Sequence, residues 1–317
     1  MKRIGLTVGS RQEVSDSDTI RLAQRADELG YDSLWAGESW GRDVFTVLAM
    51  LACHTRQIKL ASGIAVIYAR TPAMLAQTIA SLDIMSSGRA ILGLGTSGPI
   101  VVEQWHGVAY DRPLARTREC IEIVRLALSG QRVNYQGSLF NLQRFRLACQ
   151  PVQPRIPIYI AAMGPANLAL TGELADGLYG IWPHVDYIPK MVKQVVVGLD
   201  KAGRKREEVA LGFQTLACVT QDSQDGRRMA KAHLAYYVGG MGGFYAETFR
   251  RYGYAEEVEA IRRAWAEGNR DRAVSCIPEE IVDKICAVGT AAQCRERLEE
   301  LFACGADLLV LHAPHGA

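Results

Sequence analysis

Strand-like and helix-like patterns alternate along almost the entire chain of 317 residues. Short apolar runs are each followed by an amphipathic stretch, which is typical of parallel strands joined by helices. The pattern predicts eight strands, at residues 3–8, 32–36, 58–64, 90–94, 158–161, 177–180, 209–220 and 308–311. Eight such units favour the α/β class and a (β/α)8 TIM barrel. A doubly wound sheet with an added helical domain is the alternative, but it leaves the strand at 308–311 without a role.

Two segments interrupt this alternation. Residues 129–155 are polar and punctuated by glycine and asparagine, which predicts a small β excursion. Residues 223–284 predict a helical insert, and the glycine-rich stretch 239–243 within it is either a hinge or lid, or a plain helix break. We therefore predict a single TIM-barrel domain over residues 1–317 that carries both insertions.

The composition excludes several classes of protein. A formal net charge of +2 and a short basic cluster at 201–206 give no footprint for nucleic acid. No apolar run reaches the length of a membrane span, and the N-terminal residues argue against a signal peptide. The eight cysteines form no CxxC pair and no zinc-ligand spacing with histidine, so we expect buried thiols in a reducing compartment. These features predict a cytoplasmic protein with a small-molecule substrate and no metal, nucleic-acid or membrane partner.

Glycines mark the turns that follow two neighbouring strands. Gly63 lies near the end of the third strand, and the fourth strand ends in Gly93-x-Gly95-x-x-Gly98. The second pattern matches a dinucleotide-binding motif, but the acidic residue that should follow about twenty positions later at a strand end is missing. A strand end close to a ligand explains these glycines better, and tight barrel turns are the other explanation.

Four further features are candidates for chemistry or binding. Residues 162–167 follow a strand and open a helix, an arrangement that suits a phosphate, although proline in a first helical turn needs no function. Glu38 follows the second strand and either contacts a heterocycle or moves a proton, or else caps the next helix. His106 and His184 each follow a strand on a loop beside tryptophan; such histidines are more often satisfied surface residues than catalytic ones.

Taken together, six segments resemble the luciferase-like monooxygenase superfamily, most closely its branch of oxidoreductases that use the deazaflavin coenzyme F420. The segments are residues 62–72, 82–99, 102–107, 158–165, 172–177 and 288–290. The resemblance extends over nearly the whole chain. It implies a TIM barrel with insertions, frequent pairing as a homodimer, and F420 as cofactor, with FMN as the alternative.

The resemblance also implies roles for individual residues. The third strand would carry a bulge with a non-prolyl cis peptide at Gly63–Ile64 behind the deazaflavin ring. Backbone N–H groups of residues 161–164 would hold the cofactor phosphate. The implied cofactor-binding residues are Ser62, Gly63, Ile64, Thr96, Ser97, Gly98, Ala161, Ala162, Met163 and Gly164. Glu38 occupies the place of an acidic residue near the ring, and we predict that Glu38 or His106 exchanges the proton that accompanies the reaction.

One departure from the family bears on the substrate. Sugar-phosphate dehydrogenases of the family carry a histidine directly after that acid and a glutamate shortly after the fourth strand. Ser39 and the Gly98-Pro99 turn occupy those places here, which argues against glucose 6-phosphate. The sequence thus predicts an F420-dependent oxidoreductase that transfers a hydride between deazaflavin C5 and a small organic substrate. An FMN-dependent monooxygenase and a non-catalytic cofactor-binding member are the alternatives.

Overall fold

The computed structural model describes residues 2–8, 14–38 and 41–313, which fall into two compact units. The larger unit comprises residues 3–179 and 194–212. The smaller unit comprises residues 180–193 and 213–313 together with Lys2.

The larger unit contains a sheet of parallel strands. In their order across the sheet these are β1 (Arg3–Val8), β2 (Ser33–Ala36), β3 (Lys59–Ser62), β5 (Ala90–Gly95), β8 (Ile158–Ile160) and β9 (Gly177–Ile181), and the short β4 (Ala65–Val66) pairs with β5. The α-helices that begin in this unit are α1 (Asp16–Glu28), α2 (Val44–His54), α3 (Pro72–Met85), α4 (Pro113–Leu128) and α5 (Pro165–Leu174). The helix α6 (Ile188–Ala202) ends in it. A π-helical segment, Ile100–Trp105, precedes α4, and an antiparallel hairpin of β6 (Val133–Gln136) and β7 (Asn141–Phe145) follows it.

The smaller unit contains the whole helical insert and three strands, of which β10 (Ala210–Val219) begins in the larger unit. The strand β10 lies between β11 (Cys286–Gly289) and β12 (Leu308–His312). The insert forms α7 (Ser223–Gly240), α8 (Gly243–Arg251), α9 (Ala255–Ala266), α10 (Arg270–Ser275) and α11 (Glu279–Ile285), and α12 (Ala291–Ala303) precedes the last strand.

Side-chain caps set where helices near the glycine-marked turns begin. The Asp43 carboxylate accepts the Thr46 N–H at 2.7 Å at the start of α2. The Thr71 hydroxyl accepts the Met74 N–H at 3.2 Å at the start of α3, where Pro72 occupies the first helical position. Each cap satisfies an N–H group that has no partner inside its helix. Both helices therefore start directly after the loops that leave β2 and β4.

Two glycines of the stretch 239–243 have a packing role. A Cβ on Gly239 would lie 2.6 Å from Trp265 Cγ, and a Cβ on Gly240 would lie 3.0 Å from Trp265 Cζ2. Both glycines lie within α7, so their missing side chains let this helix approach the indole on α9 closely. Close packing explains these two residues without a hinge. Across the described ranges, none of the helices combines the length and the apolar character of a membrane span.

All eight predicted strands are present, with small shifts at their ends. The predicted β excursion is the β6–β7 hairpin, and the predicted insert contains five helices. The prediction missed three elements: the strand β11, which follows the insert, the π-helical segment, and a short 3-10 helix at Arg206–Glu208. It also merged β3 and β4, which the Gly63–Ile64 turn separates. The single-domain assignment over residues 1–317 stays a prediction.

Candidate active site

The ends of β3, β5 and β8 meet at Gly95. A Cβ on this residue would lie 2.7 Å from Ile64 Cγ1, 2.9 Å from Ile64 Cδ1 and 3.3 Å from the Cβ of Ala161. The Ala161 N–H donates to the Leu94 carbonyl at 2.8 Å, and the Ile67 N–H donates to the Gly95 carbonyl at 3.0 Å. Three segments predicted to bind cofactor are thereby in contact, because glycine leaves room for the side chain of Ile64.

The Gly63–Ile64 peptide bond is cis, as the resemblance implies. A Cβ on Gly63 would lie 3.0 Å from Tyr179 Oη and 3.2 Å from Trp35 Cε3. The rings of Trp35 and Tyr179 stack with centroids 4.3 Å apart and planes 2° apart, and Tyr159 meets the edge of Trp35 at 5.4 Å. These three buried rings form an aromatic floor next to the Gly63–Ile64 turn. This floor was not predicted from the sequence, although an aromatic residue on each of three predicted strands is a signal for it.

The Ser62 hydroxyl joins β3 to β5. It donates to the Gly93 carbonyl at 2.8 Å and accepts the Gly93 N–H at 2.9 Å. A Cβ on Gly93 would overlap the Ser62 carbonyl oxygen and would lie 3.3 Å from Trp35 Cζ3. The fully buried hydroxyl of Ser62 is therefore engaged within the sheet, and a contact between this residue and a cofactor stays a prediction.

The turn after β5 is held by its own side chains. Ser97 has a φ of +55°, a left-handed conformation that is uncommon for residues other than glycine. The Thr96 hydroxyl donates to the Ser97 carbonyl at 3.1 Å and accepts from the Tyr110 hydroxyl at 3.2 Å. Thr96, Ser97 and Gly98 are half-buried, so the turn retains surface that a ligand can contact.

The N-terminus of α5 offers backbone donors. Gly164 is its N-cap residue, and no side chain caps the helix. The Asn167 amide donates to the Ala161 carbonyl at 3.1 Å, while its buried Oδ1 has no hydrogen-bond partner within the described part of the chain. Uncapped N–H groups and the helix dipole suit a phosphate. This end of the site therefore fits a phosphorylated cofactor.

Glu38 forms a two-armed ion pair with Arg70. Its oxygens accept from Arg70 Nη1 and Nη2 at 2.6 Å each, and Oε2 also accepts the Val66 N–H at 3.2 Å. Both side chains are less than one-fifth exposed, and Arg70 pairs with Asp43 as well. The hydrogen bonds to Glu38 raise the pKa of the Arg70 guanidinium above its ordinary value. Glu38 therefore ties the end of β2 to β4, and both of its oxygens are engaged by hydrogen bonds. Ser39, the next residue, lies outside the described residues.

His106 ends the π-helical segment and is exposed. Its ring meets the edge of Trp105 with centroids 6.5 Å apart. Within the described ranges its side chain makes no hydrogen bond, and nothing joins it to Glu38. The imidazole is therefore accessible to a substrate or to water.

His184 differs from the surface histidine that the sequence favoured. In the smaller unit it is 3% exposed, its ring packs on Tyr252 at 4.8 Å, and Nδ1 accepts the Asp186 N–H at 3.2 Å. Burial lowers the pKa of His184 to about 4, with the Lys284 charge as a further cause. The residue is consequently a neutral, buried histidine at neutral pH.

A family model for luciferase-like monooxygenases matches residues 4–308. The chain belongs to this family. It is 32% identical over 98% of its length to a protein of Mycobacterium tuberculosis, named as a candidate coenzyme F420-dependent oxidoreductase, of which it covers 95%. It is also 32% identical to the 5,10-methylenetetrahydromethanopterin reductase of Archaeoglobus fulgidus, with 92% of this chain and 88% of that protein covered.

A solved structure establishes the fold. The coenzyme F420-dependent tetrahydromethanopterin reductase of Methanopyrus kandleri superposes with a TM-score of 0.84 at 24% identity, covering 97% of this chain and 92% of that one. The (β/α)8 TIM-barrel prediction is confirmed, and the doubly wound alternative is wrong. The relatives of this chain include F420-dependent oxidoreductases, as the resemblance implied.

Proposed function

We propose that the protein is an F420-dependent oxidoreductase that transfers a hydride between the cofactor and a small organic substrate. The observation that carries this proposal is the 32% identity over 98% of the chain to the mycobacterial protein named for this cofactor. The contact of Ile64, Gly95 and Ala161 supports it, because it brings together residues that the resemblance assigns to the ring and to the phosphate.

Each part of the site has a role in holding the cofactor. Ile64, seated above the aromatic floor, would face the ring, and the turn Thr96–Gly98 would line its edge or tail. The backbone N–H groups at the start of α5 would bind the phosphate. When bound, F420 gives or takes a hydride at ring carbon C5. The protein would contribute orientation and exclusion of water.

We further propose that His106 rather than Glu38 moves the accompanying proton. The imidazole of His106 is exposed, whereas both oxygens of Glu38 are engaged by Arg70. Glu38 would act as a positioning residue. By accepting the Val66 N–H, it would keep β4 and the adjoining Gly63–Ile64 turn in place.

An FMN-dependent monooxygenase is the second candidate, favoured by the family to which the chain belongs. Both cofactors present a flat tricyclic ring and a phosphate, so the same residues would hold either.

The homodimer implied by the resemblance stays a prediction. The argument from Ser39 and the Gly98-Pro99 turn against glucose 6-phosphate also stays a prediction.

Titration of the cofactor-free protein distinguishes these candidates. We expect F420 to bind and FMN to bind at least about tenfold more weakly, a difference of about 1.4 kcal/mol. Binding is followed by cofactor fluorescence and by the rise in the thermal unfolding midpoint. Tight binding of FMN with none of F420 would reverse the assignment. If the protein is saturated with reduced F420 but no carbonyl, imine or alkene substrate of a broad screen oxidises the bound cofactor, the non-catalytic alternative is favoured.

The variant His106→Ala tests the proton step, with any substrate that the screen identifies. Because general acid–base catalysis typically contributes about 100-fold or more, we expect kcat to fall by about that factor with an unchanged Kd for F420. The exposed residue His54 on α2 supplies the control, and His54→Ala should leave both constants unchanged. Glu38→Gln should instead weaken cofactor binding. A kcat for His106→Ala within twofold of the wild-type value contradicts the role of His106.

A further inference from the structure

Tyr110 belongs to no motif that the sequence analysis identified, yet its hydroxyl reaches the turn after β5. This hydroxyl donates to Thr96 Oγ1 at 3.2 Å, and the Thr96 hydroxyl donates to the Ser97 carbonyl at 3.1 Å. Ser97 is the residue of this turn with a φ of +55°. A left-handed conformation is unfavourable for a residue with a Cβ. Two successive hydrogen bonds thus run from Tyr110 to the strained residue of the turn.

The ring of Tyr110 is itself held in place. It stacks on Tyr68, with centroids 5.1 Å apart and planes 25° apart. Tyr68 is buried, and its hydroxyl donates to the Asp111 carbonyl at 2.6 Å. Because Asp111 directly follows Tyr110, this hydrogen bond and the stack fix the same short piece of chain. The orientation of the Tyr110 hydroxyl is therefore set by Tyr68.

Arg116, in the first turns of α4, also contacts this stack. Its guanidinium lies 4.5 Å from the ring centre of Tyr68 and 5.4 Å from that of Phe140. The Nη2 group donates to the Asp111 carboxylate at 2.9 Å. A cation between two aromatic faces is a favourable arrangement. Arg116 thereby links the stack to Phe140.

Phe140 lies in the turn between β6 and β7. Another side chain of α4, that of Glu119, holds this turn in place. The buried Glu119 carboxylate accepts from the Ser138 N–H and hydroxyl at 2.8 and 2.7 Å, and from the N–H groups of Leu139 and Phe140 at 3.0 Å each. Glu119 follows Arg116 by three positions, so both side chains project from neighbouring places on the helix. The β6–β7 hairpin is thus connected, through Phe140, Arg116, Tyr68 and Tyr110, to the turn after β5.

We propose that Tyr110 is a positioning residue that holds the Thr96–Gly98 turn in its cofactor-binding conformation, supported by Tyr68 and Arg116. This inference rests on the proposed function, because it concerns a turn assigned to the cofactor. The β6–β7 hairpin contributes to this positioning through the contact of Phe140 with Arg116. It also explains why a serine adopts a left-handed conformation where glycine would be expected.

The variant Tyr110→Phe removes the hydroxyl and keeps the stacked ring. We expect the Kd for F420 to rise about three- to tenfold, which corresponds to the loss of one hydrogen bond of ordinary strength. In the cofactor-free protein, the amides of Ser97 and Gly98 should exchange with deuterium at least threefold faster. The thermal unfolding midpoint should stay close to that of the wild type. Tyr252→Phe is the matched control, because the Tyr252 hydroxyl donates to the Trp182 carbonyl within the smaller unit instead of to the turn.

A double-variant cycle tests whether the effect passes through Thr96. Thr96→Val should weaken binding to a similar extent, and Tyr110→Phe with Thr96→Val should be no weaker than the worse single variant. Unchanged Kd and unchanged amide exchange in Tyr110→Phe would overturn the inference. If the wild type binds no F420 while amide exchange still rises in Tyr110→Phe, the cofactor proposal fails and the positioning of the turn is supported.

Discussion

Gly95→Val should strongly weaken cofactor binding in a protein that still folds. A Cβ at this position would lie 2.7 Å from Ile64 Cγ1 and 3.3 Å from the Cβ of Ala161. Ile64 is half-buried, so its side chain can move away from the new methyl groups. Because we propose that Ile64 faces the ring, such a displacement would disturb the surface on which the ring is held. Overpacking of this kind costs about 1–3 kcal/mol, and we expect the Kd for F420 to rise about 100-fold.

The effect of Gly95→Val should be confined to binding. Circular dichroism and urea unfolding should show a folded protein, with a free energy of unfolding within about 2 kcal/mol of the wild-type value. Gly243→Val is the control, because a Cβ on Gly243 would meet no atom within 4 Å. Wild-type affinity for F420 in folded Gly95→Val would show that the cofactor does not lie against the contact of β3, β5 and β8.

The fold was predictable from the sequence because its strongest signals are periodic. Each barrel strand is a short apolar run followed by an amphipathic helix, and such patterns depend on residues close together in the chain. The strand β11 was missed because Cys286–Gly289 directly follows α11 without a turn signal. The π-helical segment at Ile100–Trp105 was missed because local residue preferences do not separate it from an ordinary helical turn.

The residues of the site were predictable only where they lie in a recognisable sequence motif. The glycines and the cis peptide bond at Gly63–Ile64 follow from the family resemblance, and the structure contains that bond. The partners of the predicted residues did not follow, because they come from distant parts of the chain. Arg70 meets Glu38 across 32 positions, and Tyr110 meets Thr96 across 14. Such pairs arise only when strands and loops are assembled, and no spacing rule for either pair exists in the sequence.

Gly93→Ala should strongly destabilise the fold, in contrast to the change at Gly95 two residues later. The new Cβ would overlap the Ser62 carbonyl oxygen and would lie 3.1 Å from its carbonyl carbon. This oxygen belongs to backbone inside the sheet, so it cannot rotate away as the end of a side chain can. Gly93 cannot retreat either, because its N–H and its carbonyl are both hydrogen-bonded to the Ser62 hydroxyl. Any shift large enough to relieve the overlap would break both hydrogen bonds.

We expect Gly93→Ala to lose at least about 3 kcal/mol of unfolding free energy, at the upper end of what overpacking causes. Urea unfolding of the soluble fraction measures the loss, and the yield of soluble protein gives a second measure if little folds. Ser62→Ala is the comparison, since it removes the two hydrogen bonds without a clash and should cost about 1–3 kcal/mol. Adding Ser62→Ala to Gly93→Ala should not restore the free energy of unfolding, because the new Cβ overlaps the main chain of Ser62 and not its side chain. If the unfolding free energy of Gly93→Ala lies within about 1 kcal/mol of the wild-type value, β3 and β5 can separate at this point. The Gly63–Ile64 turn would then lack the rigid support on which the proposed ring site depends.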